Sequence, residues 1–162
     1  RVQLLGSGVI LREVIAAAEL LKADWGVEAD IWSCPSFTQL AREGHEVNRQ
    51  NLLNPGTARR SHVETCLADT QGPVIASTDY IRLFPDQIRA FVPRRYVTLG
   101  TDGFGRSDTR EKLRHFFEVN RYWVTIAALK ALADEGTLPA AKVGEAIAKY
   151  GIDSAKPNPM TV

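Results

Sequence analysis

Only two cysteines, Cys34 and Cys66, occur in the 162 residues. They are too few and too widely spaced for a disulfide framework or a Cys-x-x-Cys site. Both read as small buried hydrophobes in a reducing compartment, and a bacterial cytoplasm is the default location. No apolar run approaches the roughly 18 residues of a membrane span, so no membrane contact is expected. An excess of one charge is also missing. Twenty basic side chains face nineteen acidic ones, a net charge of +1, which leaves no electrostatic footprint for nucleic acid. The three histidines, His45, His62 and His115, lack metal-ligand spacing and read as surface or interface side chains. No Gly-x-Ser-x-Gly elbow is present, so a serine hydrolase has no support. No signal peptide, internal repeat or low-complexity segment is visible. The chain starts without Met inside a strand-like run, and it is expected to be a fragment of a longer protein.

What is there fits one soluble domain, with 44% hydrophobic and 24% charged residues. Val2-Gln3-Leu4-Leu5 predicts a strand, and Gly6-Ser7-Gly8 turns it into a helix. Ile10, Val14, Ala17, Ala18, Leu21 and Trp25 recur at helical spacing, with Glu13, Glu19 and Lys22 on the opposite side and Gly26 as the stop. Val27 to Ser33 predicts a second strand. Ser36 and Gln39 form a capping-box pattern for a helix reaching about Arg42 or Gly44. An irregular connection to Ser61 is marked by Asn48, Asn51, Asn54, Pro55 and Gly56. A short helix, His62 to Asp69, precedes the apolar strand Val74 to Ser77. Pro85 suits the first turn of a helix Asp86 to Val92, within an apolar stripe of Ile81, Phe84, Ile88 and Phe91. A fourth strand, Tyr96 to Leu99, follows. Three helices close the chain, capped in turn by Asp108 with Glu111, by Asn120, and opened by Pro139. Four strands, each followed by a helix, make a parallel sheet with helices on both faces.

The run Leu99 to Asp108 places three glycines, Gly100, Gly103 and Gly105, on a strand-to-helix turn. Ligands and partners gather at the carboxyl ends of strands in such sheets. Backbone N–H groups with Arg106 and Ser107 would suit an anion, but Asp102 and Asp108 oppose one. The competing reading is a shaped surface loop, in which Asp102 accepts backbone N–H bonds and Phe104 docks on a neighbouring surface. Gly6-Ser7-Gly8 lacks the third glycine of a dinucleotide fingerprint, because Leu11 stands there, and Asp30 lies mid-strand. Thr101-Asp102-Gly103 is superficially similar to the Gly-Asp-Gly start of a thiamine-diphosphate motif. That motif closes in paired asparagines, whereas Asn120 is single and followed by Arg121, so the match fails. The cluster Arg94-Arg95 with Arg89 reads as a solvated face.

Three stretches carry a resemblance. They are Gly6-Ser7-Gly8-Val9-Ile10-Leu11-Arg12, Ala76-Ser77-Thr78-Asp79-Tyr80 with Ile88-Arg89 and Val92-Pro93, and Leu99-Gly100-Thr101-Asp102-Gly103-Phe104-Gly105-Arg106-Ser107-Asp108-Thr109-Arg110 with its continuation to Val119. Together they resemble the C-terminal domain of the homodimeric bacterial pyruvate dehydrogenase component, a thiamine-diphosphate enzyme of the transketolase superfamily. The resemblance implies an α/β fold of three layers, α/β/α, with a mostly parallel sheet, and an antiparallel edge strand just upstream that this fragment has lost. It implies a domain over residues 1–153 and an extended tail over 154–162. The parent would decarboxylate pyruvate on thiamine diphosphate with magnesium, then reductively acetylate a lipoyl group on the acyltransferase partner. The family's cofactor-binding and catalytic residues lie in two upstream domains. No catalytic, cofactor-binding or metal residue is therefore assigned here, and the isolated fragment is expected to be inactive. Gly100, Asp102, Gly103, Phe104, Gly105, Arg106, Ser107 and Asp108 remain as a candidate interface loop toward the dimer partner and the upstream domains. The alternatives are another transketolase-superfamily enzyme, or a stand-alone small-ligand binding module.

Overall fold

The computed structural model describes residues 1–162. β1, Val2–Gly6, is buried at every position and pairs along both edges. Its neighbours are β2, Ala29–Ser33, and β3, Val74–Ser77, and β4, Tyr96–Leu99, pairs with β3, so the order is β2-β1-β3-β4. All pairings are parallel, with Leu4 opposite both Ile31 and Ile75, and Ile75 opposite Val97. Parallel neighbours need crossovers that carry the chain over a face, and helices accordingly cover both faces.

Side chains alternate across the pleat, which divides the apolar residues into two cores. Val2, Leu4, Ile75, Val97 and Leu99 face α1, Leu11–Trp25, and α6, Arg121–Asp134, in the larger core. Leu5, Val74, Ala76 and Tyr96 face α2, Phe37–Leu53, α3, His62–Leu67, and the segment bearing Ile88 and Phe91. Burying one such large side chain contributes about 1.5–3 kcal/mol. The one fully buried amide of the sheet, Gln3, is satisfied on every side. It donates to Asp30 (2.7 Å) and to the Gln71 carbonyl (3.1 Å), and it accepts from Trp32 Nε1 (2.8 Å). Asp30 also pairs with Arg1. The remaining helices are α4, Leu83–Asp86, α5, Arg110–Phe116, and α7, Ala141–Lys149. Residues beyond α7 turn at Asp153–Lys156 and Asn158–Thr161.

Several local expectations are corrected. α2 does not stop near Gly44 but runs to Leu53. Its buried stripe is Phe37, Ala41, Gly44 and Val47, and the third member carries no side chain to register as apolar. The Phe91 ring sits so close that a Cβ on Gly44 would lie 2.6 Å from it. The helix Asp86 to Val92 does not form. Instead α4 carries Pro85, and a separate 3₁₀ turn spans Arg89–Phe91, so Ile88 and Phe91 are buried while Ile81 and Phe84 stay exposed. Thr109, not Asp108, caps α5, accepting from the Lys112 N–H. The second strand begins at Ala29, because Val27 still donates to the Leu21 carbonyl at the end of α1. On that edge strand Ile31 is exposed and Trp32 packs inward.

Of the three arginines expected to form a solvated face, Arg89 and Arg95 are exposed and Arg94 is half-buried, and all three also act as tethers. Arg94 donates to the Leu67 and Ala68 carbonyls at the end of α3 and to Thr70. Arg89 donates to the Tyr96 carbonyl (2.8 Å) and pairs with Asp86. Arg95 reaches Asp134 and Glu135. Cationic donors at a helix C-terminus satisfy its orphan carbonyls. Cys34 is buried, and burial pushes its thiol up to about 12. Cys66 is only half-buried, with Sγ 3.4 Å from His62 Nε2.

Candidate functional site

The connections after β3 and β4 are joined side by side at the carboxyl end of the sheet. Thr78 N–H donates to the Leu99 carbonyl (3.1 Å), and Thr101 N–H donates to the Tyr80 carbonyl (2.9 Å). The Thr101 hydroxyl donates to the Asp79 carbonyl (2.8 Å). Asp102 Oδ2 then accepts from both the backbone N–H (3.2 Å) and the Nε–H (2.7 Å) of Arg82. Its carboxylate is thus committed to a neighbouring loop, and a charge-assisted pair of this kind fixes geometry as well as adding energy. The connection after β1 joins the same assembly, since Ser7 Oγ donates to Thr78 Oγ1 (2.8 Å), which also accepts from the Tyr80 N–H.

Beyond Asp102 the loop turns outward. Gly103 has φ 108° and lies against the Pro159 carbonyl, where a side chain would overlap. Only glycine takes that backbone conformation without strain. Phe104 is 80% exposed, and Gly105 has open space around it. Arg106 returns to the domain by stacking its guanidinium over Phe116 at 4.3 Å. Ser107 is exposed, and Asp108 accepts from the Thr109 N–H (2.7 Å) and lies 3.8 Å from Lys112. The loop, Val9 and the start of α5 line a cleft of about 600 Å³. Val9, Tyr80, Leu83 and Met160 are exposed apolar side chains on the segments around it, and the Arg82 guanidinium reaches the Met160 sulfur.

The candidate loop therefore gathers on one end of the sheet, but Thr101, Asp102 and Asp108 are turned onto the protein itself. No group of three or more His, Cys, Asp or Glu side chains is arranged to hold a metal ion. Asn120, the first asparagine after the loop, accepts from the Tyr122 and Trp123 N–H groups as the cap of α6. With Asp102 and Asn120 both engaged in this way, the residues present do not fit a magnesium–diphosphate group.

Sequence reasoning missed Glu13. The helical spacing sets it on the polar side of α1, yet it is buried. Glu13 Oε1 accepts from Arg114 (3.0 Å) and Arg121 Nη2 (3.1 Å), and Oε2 accepts from the Arg121 N–H and Nε–H (both 3.0 Å). Burial opposes its charged form. The hydrogen bonds and charges of Arg121, with the charge of Arg114, outweigh burial and hold the carboxyl below its ordinary value. Its partners lie about a hundred positions away in the chain, so no local spacing announces them.

Comparison with known proteins adds the following. A family model described as the transketolase-like TK C-terminal domain matches residues 1–120. Proteins called pyruvate dehydrogenase E1 component are similar over nearly the whole chain. The one from Cupriavidus necator is 74% identical over 100% of this chain, that from Pseudomonas aeruginosa 60% over 98%, and that from Escherichia coli 51% over 98%. This chain spans about a fifth of their length, 18% of each. A solved structure described as a split gene transketolase, inactive beta4 tetramer, superposes with TM-score 0.54 at 16% identity, over 82% of this chain and 39% of that one. At that identity the likeness shows the fold alone.

Proposed function

Since this chain belongs to the transketolase-like C-terminal domain family, we propose that it is the C-terminal scaffold and dimer-contact domain of a pyruvate dehydrogenase E1 component. The parent, in this reading, is a bacterial cytoplasmic enzyme that decarboxylates pyruvate on thiamine diphosphate with magnesium. It then reductively acetylates the lipoyl group of an acyltransferase partner. Cofactor and catalytic groups come from parts of the parent outside these residues, and this domain alone has no activity. The observation that supports the reading most is Phe104. A large apolar side chain is held out in solvent between Gly103 and Gly105, on a loop whose Asp102 carboxylate is already taken by Arg82. Together with the exposed Val9, Tyr80, Leu83 and Met160 on the segments around the loop, it offers apolar surface of the kind that marks a contact, and a second copy or the upstream domains of the same chain would cover it. The segment 1–153 then acts as the folded unit, with 154–162 as a tail lying along it.

Phe104→Ala in the full-length enzyme is the direct test. Sedimentation should show a weaker dimer, or calorimetry a lower melting temperature, while the decarboxylation rate per remaining dimer changes little. An unchanged dimer and melting temperature together with a lost decarboxylation rate would put the loop in the chemistry and overturn the reading.

A further inference from the structure

A second cleft, about 820 Å³ in volume, lies between α5 and the starts of α1 and α6. Arg110, Lys112, Arg114 and Arg121 line it, against two carboxylates, Glu13 and Glu111. Glu13 fixes two of the guanidiniums in place through three of the four hydrogen bonds described above, the fourth coming from the Arg121 backbone N–H, and each guanidinium keeps further N–H groups. Arg110 is exposed and forms no ion pair, and Lys112 reaches only Asp108, at 3.8 Å. Glu111 and His115 stand on the same helix, so the cleft keeps a cationic balance whether or not His115 is charged.

The other wall is aromatic. Tyr122 lies with its ring 5.0 Å from that of Tyr150, and both line the cleft. Tyr150 is held firmly, because its hydroxyl accepts from Trp25 Nε1 (2.8 Å) and donates to Asp24 (3.0 Å). The N-terminus of α6 contributes nothing to anion binding here. Its first N–H groups are taken by Glu13 and by the Asn120 cap.

Two recognition surfaces thus face one space. Guanidinium and ammonium groups pair with phosphate oxygens, and an aromatic ring offers a face on which a planar base stacks. The volume falls within the roughly 300–1,000 Å³ of small-molecule sites, which favours a compact ligand over an acidic protein segment. We propose that this cleft binds a nucleoside di- or triphosphate. The phosphates lie on Arg110, Lys112 and the outward N–H groups of Arg114 and Arg121, and the base lies on Tyr122. The cleft borders the loop at the carboxyl end of the sheet, since Arg110 and Arg114 line the clefts on both sides of α5, but the nucleotide assignment rests on the cations and tyrosines and not on the role given to that loop.

Isothermal titration of the full-length protein with ATP, AMP and inorganic tripolyphosphate tests this. ATP should bind saturably, and more tightly than AMP. The double variant Arg110→Ala/Lys112→Ala should weaken ATP about tenfold or more, and neither side chain supports the core. Tyr122→Leu should weaken ATP roughly five- to tenfold and leave tripolyphosphate unchanged. Absence of saturable ATP binding at low-millimolar concentration would overturn the proposal. So would ATP binding indifferent to the double variant. If Tyr122→Leu changes nothing and tripolyphosphate binds as tightly as ATP, the cleft is a plain anion patch and the nucleotide assignment falls.

Discussion

Glu13 carries its charge at a position only 5% exposed, because two arginines from another part of the chain reach it. The carboxylate ties the first turn of α1 to α5 and to the start of α6, so one side chain positions two elements. Removing one partner of a buried pair leaves the others uncompensated, and Arg121 is partly solvated, so Glu13→Gln should cost about 2 kcal/mol. Urea unfolding at neutral pH measures it. The pH dependence has a definite sign. The folded carboxyl lies below its ordinary value of 4.5, so its contribution is fully present above 4.5 and is lost as pH falls through the lower folded value. The stability gap between wild type and Glu13→Gln should therefore close on acidification below that point. A gap that persists unchanged under acid would mean that packing, not charge, holds the contact. Nothing in the neighbourhood of Glu13 in the sequence distinguishes it from Glu19 or Lys22, because its partners are brought to it only by folding.

At the scale of elements, α2 rests on a contact that a hydrophobic pattern does not record. Alanine is favoured over glycine in a helix interior by about 1 kcal/mol. Yet Gly44→Ala would set a methyl group 2.6 Å from the Phe91 ring, and forcing extra volume into a packed core costs about 1–3 kcal/mol. The substitution should therefore destabilise, with a lower denaturation midpoint, and a gain in stability would show that α2 and the 3₁₀ turn can move apart freely. The same logic explains which elements were readable. β1, β3 and β4, the caps Ser36 and Asn120, and the end of α1 at Gly26 are local features, carried by runs of apolar residues or by side chains that bond their own backbone. The broken segment from Tyr80 to Phe91 was not readable. Its apolar spacing suits one helix, but Ile88 and Phe91 are drawn into the same core as Tyr96, while Ile81 and Phe84 stay exposed.

For the whole molecule, stability should be graded outward from the sheet. Amide exchange of the folded protein should be slowest in β1 and β3, whose residues are buried on both faces and paired on both edges. The segment from Gly103 to Asp108 should exchange fastest, since its residues are exposed. Slow exchange there in the full-length protein, and fast exchange in the isolated domain, would locate the surface that covers Phe104. The sequence by itself determined the parallel α/β plan, because strand and helix periods alternate in it and a parallel pair has to cross over a helix. It also carried the family, through the glycine-rich run from Leu99 to Asp108. The tertiary structure alone decided that Asp102 belongs to Arg82, that Glu13 belongs to Arg114 and Arg121, and that cations and tyrosines meet in one cleft. Those are meetings of residues far apart along the chain, and a local pattern holds no information about where a distant charge will lie until the sheet has brought both ends to one place.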